Sequence, residues 1–224
     1  MKKWLLLSML SIMVLILAAC GGDDSKSSGS SDDYTADKPM VIKFDALVSG
    51  NVHMIAPSVT KMVKIDPRWQ YVDMPFLFEN DEHVQAFFKS EVAQTILNSD
   101  QLASNDIMGI SFWGNGFKHF SNNKQPLVDV ADFKGLKFRA QAGKVLESQF
   151  HALDAGSATI AFGETYAALQ QGTVDGQENT FNNFDTQKYQ EVQKYLTTTA
   201  HGRLDYAIFV NKPFWDSIPE DLLG

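Results

Sequence analysis

Arg139 and Asn179 are the two side chains of this sequence whose chemistry most clearly fits a small anionic ligand. A guanidinium is planar and carries five N–H donors, so it can hold a carboxylate through two parallel hydrogen bonds. Asn179 could add a neutral donor beside it. The residue types therefore predict carboxylate binding at Arg139, and the alternative is that Arg139 is one more solvated surface charge.

The elements that must position these two residues are predicted from local periodicity. Residues 136–141 alternate apolar and polar side chains, as a strand does, and residues 144–153 repeat apolar side chains at helical spacing. A short buried strand is predicted for residues 158–162, and a helix for residues 164–171 that ends at Gly172. Residues 173–179 are predicted to return as a third strand.

This succession of strands and helices predicts a parallel sheet, and open parallel sheets bind ligands beyond the carboxyl ends of their strands. The predicted strand ends carry Arg139, residues 162–164 and residues 177–179. We therefore expect Gln141, Phe162 and Glu178 to lie near the same ligand.

Three stretches of the chain together resemble a known family. They are GLKFRAQ (135–141), FGETYAALQQGTVDGQEN (162–179) and QKYQEVQKYLTTTAHG (187–202), and they are similar to the solute-binding proteins of tripartite ATP-independent periplasmic (TRAP) transporters, the DctP-like family. The likeness begins at about Val41 and continues to the end. It implies a two-lobed, periplasmic-binding-protein-like α/β fold with mixed, largely parallel sheets. It also implies that the Arg139 position pairs with the carboxylate of an organic acid and that the Asn179 position lies in the same cleft.

The stretch WGNGFK (113–118) adds three further candidates through the same resemblance. In the family, the WxNG residues and the basic residue after them border the ligand, which implies ligand contacts for Trp113, Asn115 and Lys118. Packing in the core is the alternative for Trp113. Gly-Asn-Gly at 114–116 also has the composition of a turn, so a strand is predicted to end at Trp113.

The first twenty residues resemble a lipoprotein signal. Lys2 and Lys3 precede an apolar run over residues 4–19 that is shorter than the roughly 20 residues of a membrane span. The run ends in Leu-Ala-Ala before Cys20, the only cysteine, which predicts cleavage and lipidation at Cys20. A free cysteine in an uncleaved anchor is the alternative.

Charge and composition limit the partners. Residues 21–39 are rich in Gly, Ser and Asp, which predicts a flexible tether. Removing residues 1–19 would take away two lysines and change the formal net charge from −8 to −10. A net acidic chain argues against nucleic acid as a partner, although a local arginine can still attract an anion.

The first predicted lobe looks incomplete. Strands are predicted at residues 40–44 and 52–56, and only seven residues join them, too few for the crossover between parallel strands. The resemblance implies that a helix and a strand are missing there, and that further helices would follow Gly224. The expectation is an internally deleted and truncated member of the family.

Enzymatic chemistry is not predicted. The sequence contains none of the motifs CxxC, HExxH, GxSxG or GxxxxGK[ST], and no cofactor or metal is expected. An acid and base pair could be assembled from Glu164, Asp175, Glu178, His151 and His201, but their spacing matches no known nucleophile or metal motif. His201 is predicted to have a structural role rather than to titrate in function.

The sequence thus predicts an extracytoplasmic, lipid-anchored solute-binding protein that captures an organic acid, expected to be a dicarboxylate, and delivers it to TRAP permease subunits in the membrane. The alternative is a deleted fragment with little or no binding. The predicted organisation is a signal peptide (1–19), a lipidated cysteine and tether (20–39), lobe I (40–121), lobe II (122–200) and a return strand with a short helix (201–224).

Overall fold

The computed structural model describes residues 44–223. The predicted signal peptide, the lipidated Cys20 and the tether lie outside the described residues. Within residues 44–223, no helix is both long enough and apolar enough to cross a membrane.

The described chain alternates short helices with strands of very unequal length. The α-helices are α1 (Phe44–Val48), α2 (Asp81–Lys89), α3 (Glu91–Leu97), α4 (Asp100–Ala103), α5 (Lys144–Ala152), α6 (Thr165–Gln170), α7 (Phe181–Thr186) and α8 (Lys212–Asp216). The strands are β1 (Met54–Ile55), β2 (Ile107–Asn122), β3 (Lys137–Ala140), β4 (Gly156–Thr159), β5 (Gly176–Asn179) and β6 (Tyr195–Asn211). Short 3₁₀ turns cover Val59–Lys64, Pro67–Asp73, Val130–Phe133, Phe162–Glu164, Tyr189–Glu191 and Glu220–Leu222.

All six strands form one mixed sheet in the order β1-β6-β2-β5-β3-β4. The strands β5, β3 and β4 are parallel, as the alternation of strands and helices predicts. The pairs β1–β6, β6–β2 and β2–β5 are antiparallel. The sheet is therefore mixed, but its parallel part is confined to three strands.

Helices α2, α3 and α4 begin at side chains that accept a hydrogen bond from the first turn. Asn80, Ser90 and Ser99 accept from backbone N–H groups three residues further on, which satisfies donors that the start of a helix leaves without a partner. Val84 and Phe88 are four residues apart on α2, so they share one face, and both are buried.

Apolar cores cover both ends of the sheet. One packs helices α1, α3 and α4 and two 3₁₀ turns around Trp69, Phe209 and Ile107. At the other end, Phe120, Phe138 and Phe150 pack face to edge or stacked between β2, β3 and α5. A further cluster with Leu169 and Tyr189 lies beneath α6 and α7.

The predicted elements of residues 136–179 are confirmed with small shifts of their ends. Helices α5 and α6 lie within a residue of the predicted bounds, and Gly172 has the left-handed φ of +71° expected after a helix. The strand predicted at 158–162 is wrong by two residues at its start and three at its end, since β4 covers Gly156–Thr159.

The turn predicted at residues 114–116 is wrong. Strand β2 continues through these residues as a β-bulge: Gly114 pairs with Asp205 and Gly116 with Leu204, so Asn115 is an extra residue. The backbone N–H of Asn115 donates instead to Asp205 Oδ1 at 3.1 Å. A side chain 90 positions away therefore supplies the acceptor that a turn would have supplied locally.

Two other predictions of local structure are wrong. Phe44, predicted as the end of a strand, lies in helix α1, and residues 40–43 of that predicted strand lie outside the described residues. Apolar residues at helical spacing predict one helix over residues 184–196, but Lys188 has a left-handed φ of +55°, and residues from Tyr195 onward belong to β6. The apolar run at residues 206–210, which predicts a strand, belongs to the same long strand β6.

Gly176 provides a test of the close approach between β5 and β2. A Cβ at this position would collide with the carbonyl oxygen of Ser121, which belongs to the sheet and cannot move aside. We expect Gly176→Ala to lower the free energy of unfolding by about 1–3 kcal/mol, measured by urea denaturation. Gly163 has open space around it, so Gly163→Ala is the matched control and should change stability by less than about 1 kcal/mol. Equal effects of the two substitutions would contradict the packing.

Candidate functional site

The sheet register sorts the candidate residues onto two faces. Arg139 is the register partner of Gln177, and Asn179 follows two residues later on β5, so these three side chains share one face. Glu178 pairs with Phe120 of β2 and points to the opposite face. Because β3 and β5 are parallel and both end here, Arg139 and Asn179 lie at the carboxyl ends of neighbouring strands, as predicted.

Arg139 is buried rather than solvated, with 2% of its surface exposed. Its Nε donates to the carbonyl oxygen of Ile160 at 2.9 Å. No carboxylate lies within 4.0 Å of its guanidinium among the described residues, whereas the buried Lys118 and Arg203 both have one. Burial lowers the pKa of Arg139 from its usual value. The structure therefore excludes the alternative of a solvated surface charge.

Asn179 is buried with an oriented amide. Its Oδ1 accepts from Asn183 Nδ2 at 2.6 Å and from the backbone N–H of Thr180 at 3.2 Å. Its Nδ2 has no partner within the part of the chain that the structure describes. A buried donor without an acceptor is costly in a folded protein, so this N–H group is a candidate for ligand contact.

Lys118 and Glu178 form a buried ion pair on the opposite face. Lys118 Nζ and Glu178 Oε1 are 2.6 Å apart, and both side chains are almost fully buried. The other carboxylate oxygen is 2.6 Å from His201 Nε2 and accepts from Gln149 Nε2 at 2.8 Å. His201 in turn stacks on Phe120, with ring centroids 3.9 Å apart.

This cluster keeps Glu178 ionised. Burial acts to raise the pKa of Glu178, but Lys118 and His201 together hold that pKa well below its usual value. Since both carboxylate oxygens are already in contact with cationic or polar groups, Glu178 is positioned as the counter-ion of Lys118. The hydrogen bonds of the described residues do not connect this cluster to Arg139 or Asn179.

Asp73 is a second buried carboxyl on the Lys118 side. Its Oδ1 accepts from Thr60 Oγ1 at 2.7 Å, and its Oδ2 has no hydrogen-bond partner among residues 44–223. A Cβ at Gly143 would lie 4.0 Å from Oδ2, so the carboxyl packs against the start of α5. Burial raises the pKa of Asp73 from 3.8 to about 6, opposed by the charge of Lys118.

Trp113 and Asn115 line an open cleft of about 500 Å³ together with Ala56, Gly114, Asn182 and Tyr206. Trp113 is 60% exposed, so the alternative of core packing is wrong for this side chain. Asn115 is held at both ends of its amide: Nδ2 donates to Tyr206 Oη at 3.0 Å, and Oδ1 accepts from Thr180 Oγ1 at 3.0 Å.

The two remaining candidates of the described chain are Gln141 and Phe162. Gln141 Oε1 accepts from Ser58 Oγ at 3.1 Å, which links the end of β3 to the residues before the first 3₁₀ turn. Phe162 begins a 3₁₀ turn after β4 and is 36% exposed. Residues 44–223 contain no group of three or more His, Cys, Asp or Glu side chains placed to hold a metal ion.

Three residues of these clusters were not among the site residues predicted from the sequence. Asp73 is the only acidic residue in the stretch 67–78, which is rich in apolar side chains. An isolated carboxyl in such a stretch indicates a candidate buried site residue. Asn183 follows Asn179 by four residues at the start of a helix, a spacing that brings side chains together. Gln149 carries no such signal, because its contact with Glu178 depends on how α5 packs on the sheet.

The chain belongs to the DctP family of bacterial extracellular solute-binding proteins, family 7, whose sequence pattern matches residues 40–223. The C4-dicarboxylate-binding periplasmic protein DctP of Vibrio cholerae is 42% identical over 178 residues, which cover 80% of this chain and 53% of that protein. This chain therefore spans about half the length of the relatives that it matches. The family consists of solute-binding proteins rather than enzymes.

Solved structures agree with this assignment. A TRAP periplasmic solute-binding protein from Sulfurospirillum deleyianum with bound succinate is 39% identical, with a TM-score of 0.76 over 80% of this chain and 57% of that protein. A relative from Pseudomonas aeruginosa with bound L-malate is 37% identical, also with a TM-score of 0.76, over 80% of this chain and 61% of that protein. The predicted fold class, a two-lobed periplasmic-binding-protein-like α/β fold with a mixed sheet, is confirmed.

The buried ion pair makes a testable contribution to stability. Glu178→Gln would leave Lys118 buried without a counter-ion, and breaking one partner of such a pair costs about 3–5 kcal/mol. We expect a loss of this size in urea denaturation at neutral pH. Asp216→Asn is the matched control, since it breaks the exposed pair with Lys212 and should cost less than about 1 kcal/mol. A loss below about 1 kcal/mol for Glu178→Gln would contradict the cluster.

Asp73 should give the fold a pH dependence of defined sign. The pKa of Asp73 is about 6 in the folded chain, above its usual value of 3.8. Between pH 3.8 and about 6, Asp73 therefore keeps its proton in the folded state and loses it in the unfolded state. The contribution of Asp73 to stability therefore falls as pH rises from about 4 to 6, by up to about 3 kcal/mol.

The measurement is the free energy of unfolding of wild type minus that of Asp73→Asn at pH 4, 5, 6 and 7. The contributions of the titratable groups that wild type and Asp73→Asn share cancel in this difference. A difference that is flat, or that rises with pH, would show that Asp73 is not buried in this way.

Proposed function

We propose that this chain is the solute-binding component of a TRAP-type transporter and captures an organic acid through Arg139 and Asn179. One observation carries the proposal: Arg139 is a buried guanidinium without a carboxylate partner in the described residues, while Lys118 and Arg203 are neutralised within the protein. A buried cation is strongly disfavoured without an anion beside it. A ligand carboxylate would supply that anion.

The relatives support the class of ligand. The Vibrio cholerae protein is named for C4-dicarboxylates, and the two structural relatives hold succinate and L-malate. We therefore propose a dicarboxylate as the first ligand to test. Trp113, Asn115 and Phe162 are proposed to border the ligand from their exposed positions, and Gln141 from the end of β3.

Lys118 and Glu178 are proposed to support the binding region without contacting the ligand. Because Glu178 already neutralises Lys118, the pair is proposed to form a rigid wall of the binding region rather than a second anion site. This differs from the expectation that both side chains contact the ligand directly.

The cellular context belongs to the same proposal. We propose that residues 40–121 and 122–200 are the two lobes, that residues 201–224 return to the first, and that the ligand passes to permease subunits in the membrane. Extracytoplasmic location and anchoring through a lipidated Cys20 are proposed from the sequence, since those residues lie outside the described chain.

The experiment is a thermal melt of the purified chain with succinate, L-malate, keto acids and sugar acids. Wild type should be stabilised by one class of acid, by about 2.7 kcal/mol at a ligand concentration of 100 Kd. Arg139→Met keeps most of the side-chain volume but removes the charge, and should abolish this stabilisation. Lys137→Met is the matched control on the same strand, because Lys137 is exposed, and should retain it.

Two results would contradict the proposal. If wild type melts cooperatively but no acid raises its Tm, the chain is a fragment without binding. If Arg139→Met responds to the acid as wild type does, binding occurs elsewhere.

A further inference from the structure

We infer that Asn183 is a positioning residue that fixes which end of the Asn179 amide faces the bound acid. The inference rests on the proposed function, because it concerns how the carboxylate site beside Arg139 is assembled. It assigns a role to a residue outside the predicted ligand contacts.

The orientation of the Asn179 amide follows from its neighbours. A backbone N–H can only donate, and the N–H of Thr180 lies 3.2 Å from one atom of the amide. That atom must therefore be Oδ1, the acceptor. Asn183 Nδ2 donates to the same oxygen at the shorter distance of 2.6 Å. Two donors on Oδ1 leave Nδ2 as the end that points away.

The outward end of the amide is the useful one for an anion. Asn179 Nδ2 is buried and has no acceptor within residues 44–223, and Asn179 lies on the Arg139 face of the sheet. An amide N–H beside a guanidinium offers donors to both oxygens of a carboxylate. The reversed amide would present Oδ1 and repel that carboxylate.

Asn183 is itself held so that its Nδ2 faces Asn179. Thr180 begins helix α7, and its Oγ1 accepts from the backbone N–H of Asn183 at 3.4 Å, which places residue 183 one turn above Asn179. On its other side, Asn183 Oδ1 accepts from Asn115 Nδ2 at 3.5 Å. Asn115 is oriented in turn by Tyr206 and Thr180.

These contacts form a chain of oriented amides that leads from the cleft beside Trp113 to the Arg139 face. Each amide has its acceptor end satisfied by a donor from the previous group. Asn183 is the link on which the Asn179 amide depends most, because its hydrogen bond to Oδ1, at 2.6 Å, is shorter than the 3.2 Å bond from the Thr180 N–H.

The test uses Asn183→Asp, which preserves the shape of the side chain. The ionised carboxylate of this variant cannot donate to Asn179 Oδ1 and would attract Nδ2, so the Asn179 amide should turn around. When the new carboxyl group is protonated, it can donate again and the original orientation should return. Asn183→Leu removes the donor without this recovery. Asn105→Asp is the control for added charge, because Asn105 is exposed on the surface.

Dissociation constants for succinate and L-malate are measured by calorimetry at pH 8 and pH 5, each relative to wild type at the same pH. Asn183→Asp should bind about 10- to 100-fold more weakly than wild type at pH 8, the loss expected for a hydrogen bond to a charged group. At pH 5, the ratio of the dissociation constant of Asn183→Asp to that of wild type should move towards one. Asn183→Leu should be weakened equally at both pH values, and Asn105→Asp should match wild type.

Each other outcome overturns the inference. Wild-type affinity in Asn183→Asp at pH 8 would show that Asn183 does not orient Asn179, and a loss that is the same at both pH values would show a merely structural role. If Asn183→Asp does not melt cooperatively, Asn183→Leu decides, and wild-type affinity in that variant overturns the inference. Failure of wild type itself to bind either acid would instead overturn the proposed function, and this inference with it.

Discussion

The antiparallel pairing of β2 with β6 is the constraint on which the rest of the described structure depends. These strands have 16 and 17 residues, against four for each of β3, β4 and β5, and they run from the Trp69 core at one end to the Phe120 core at the other. Three irregularities in their register bend the ladder. One of them places Asn115 in the cleft, held by Asp205, and Asp205 is itself neutralised by Arg203.

Because β5 pairs with the far end of β2, the alternation of side chains divides the buried polar groups into two environments. On one face, Lys118, His201 and Gln149 all contact the Glu178 carboxylate. On the other, the buried Arg139 guanidinium has no carboxylate partner and Asn179 Nδ2 has no acceptor among the described residues. The buried charges of Lys118 and Glu178 on the first face are paired, so that face contributes rigidity. The second face retains an electrostatic deficit that an anion can remove.

The sequence predicted well what depends on local periodicity. The strand that carries Arg139, helices α5 and α6 and the left-handed Gly172 follow from spacing of two or 3.6 residues and from the freedom of glycine at positive φ. Distant contacts decide the rest. Gly114-Asn115-Gly116 has turn composition, yet the ladder to β6 and the Asp205 carboxylate keep it extended. Burial of Arg139 and exposure of Trp113 likewise depend on which element packs above each strand, and a short motif does not encode that.

The buried Arg139 charge and the unpartnered Asn179 N–H group are expected to reduce the stability of the ligand-free chain. A buried guanidinium without a counter-ion and a buried amide N–H without an acceptor each disfavour folding, and the apolar burial in the Phe138 and Leu169 clusters offsets this cost. Replacing both by apolar side chains is therefore expected to stabilise the fold and to remove the proposed anion site. Among the described residues, the buried Lys118 and Arg203 have carboxylate partners and Arg139 has none, so an anion bound beside Arg139 would offset the cost of burying its charge.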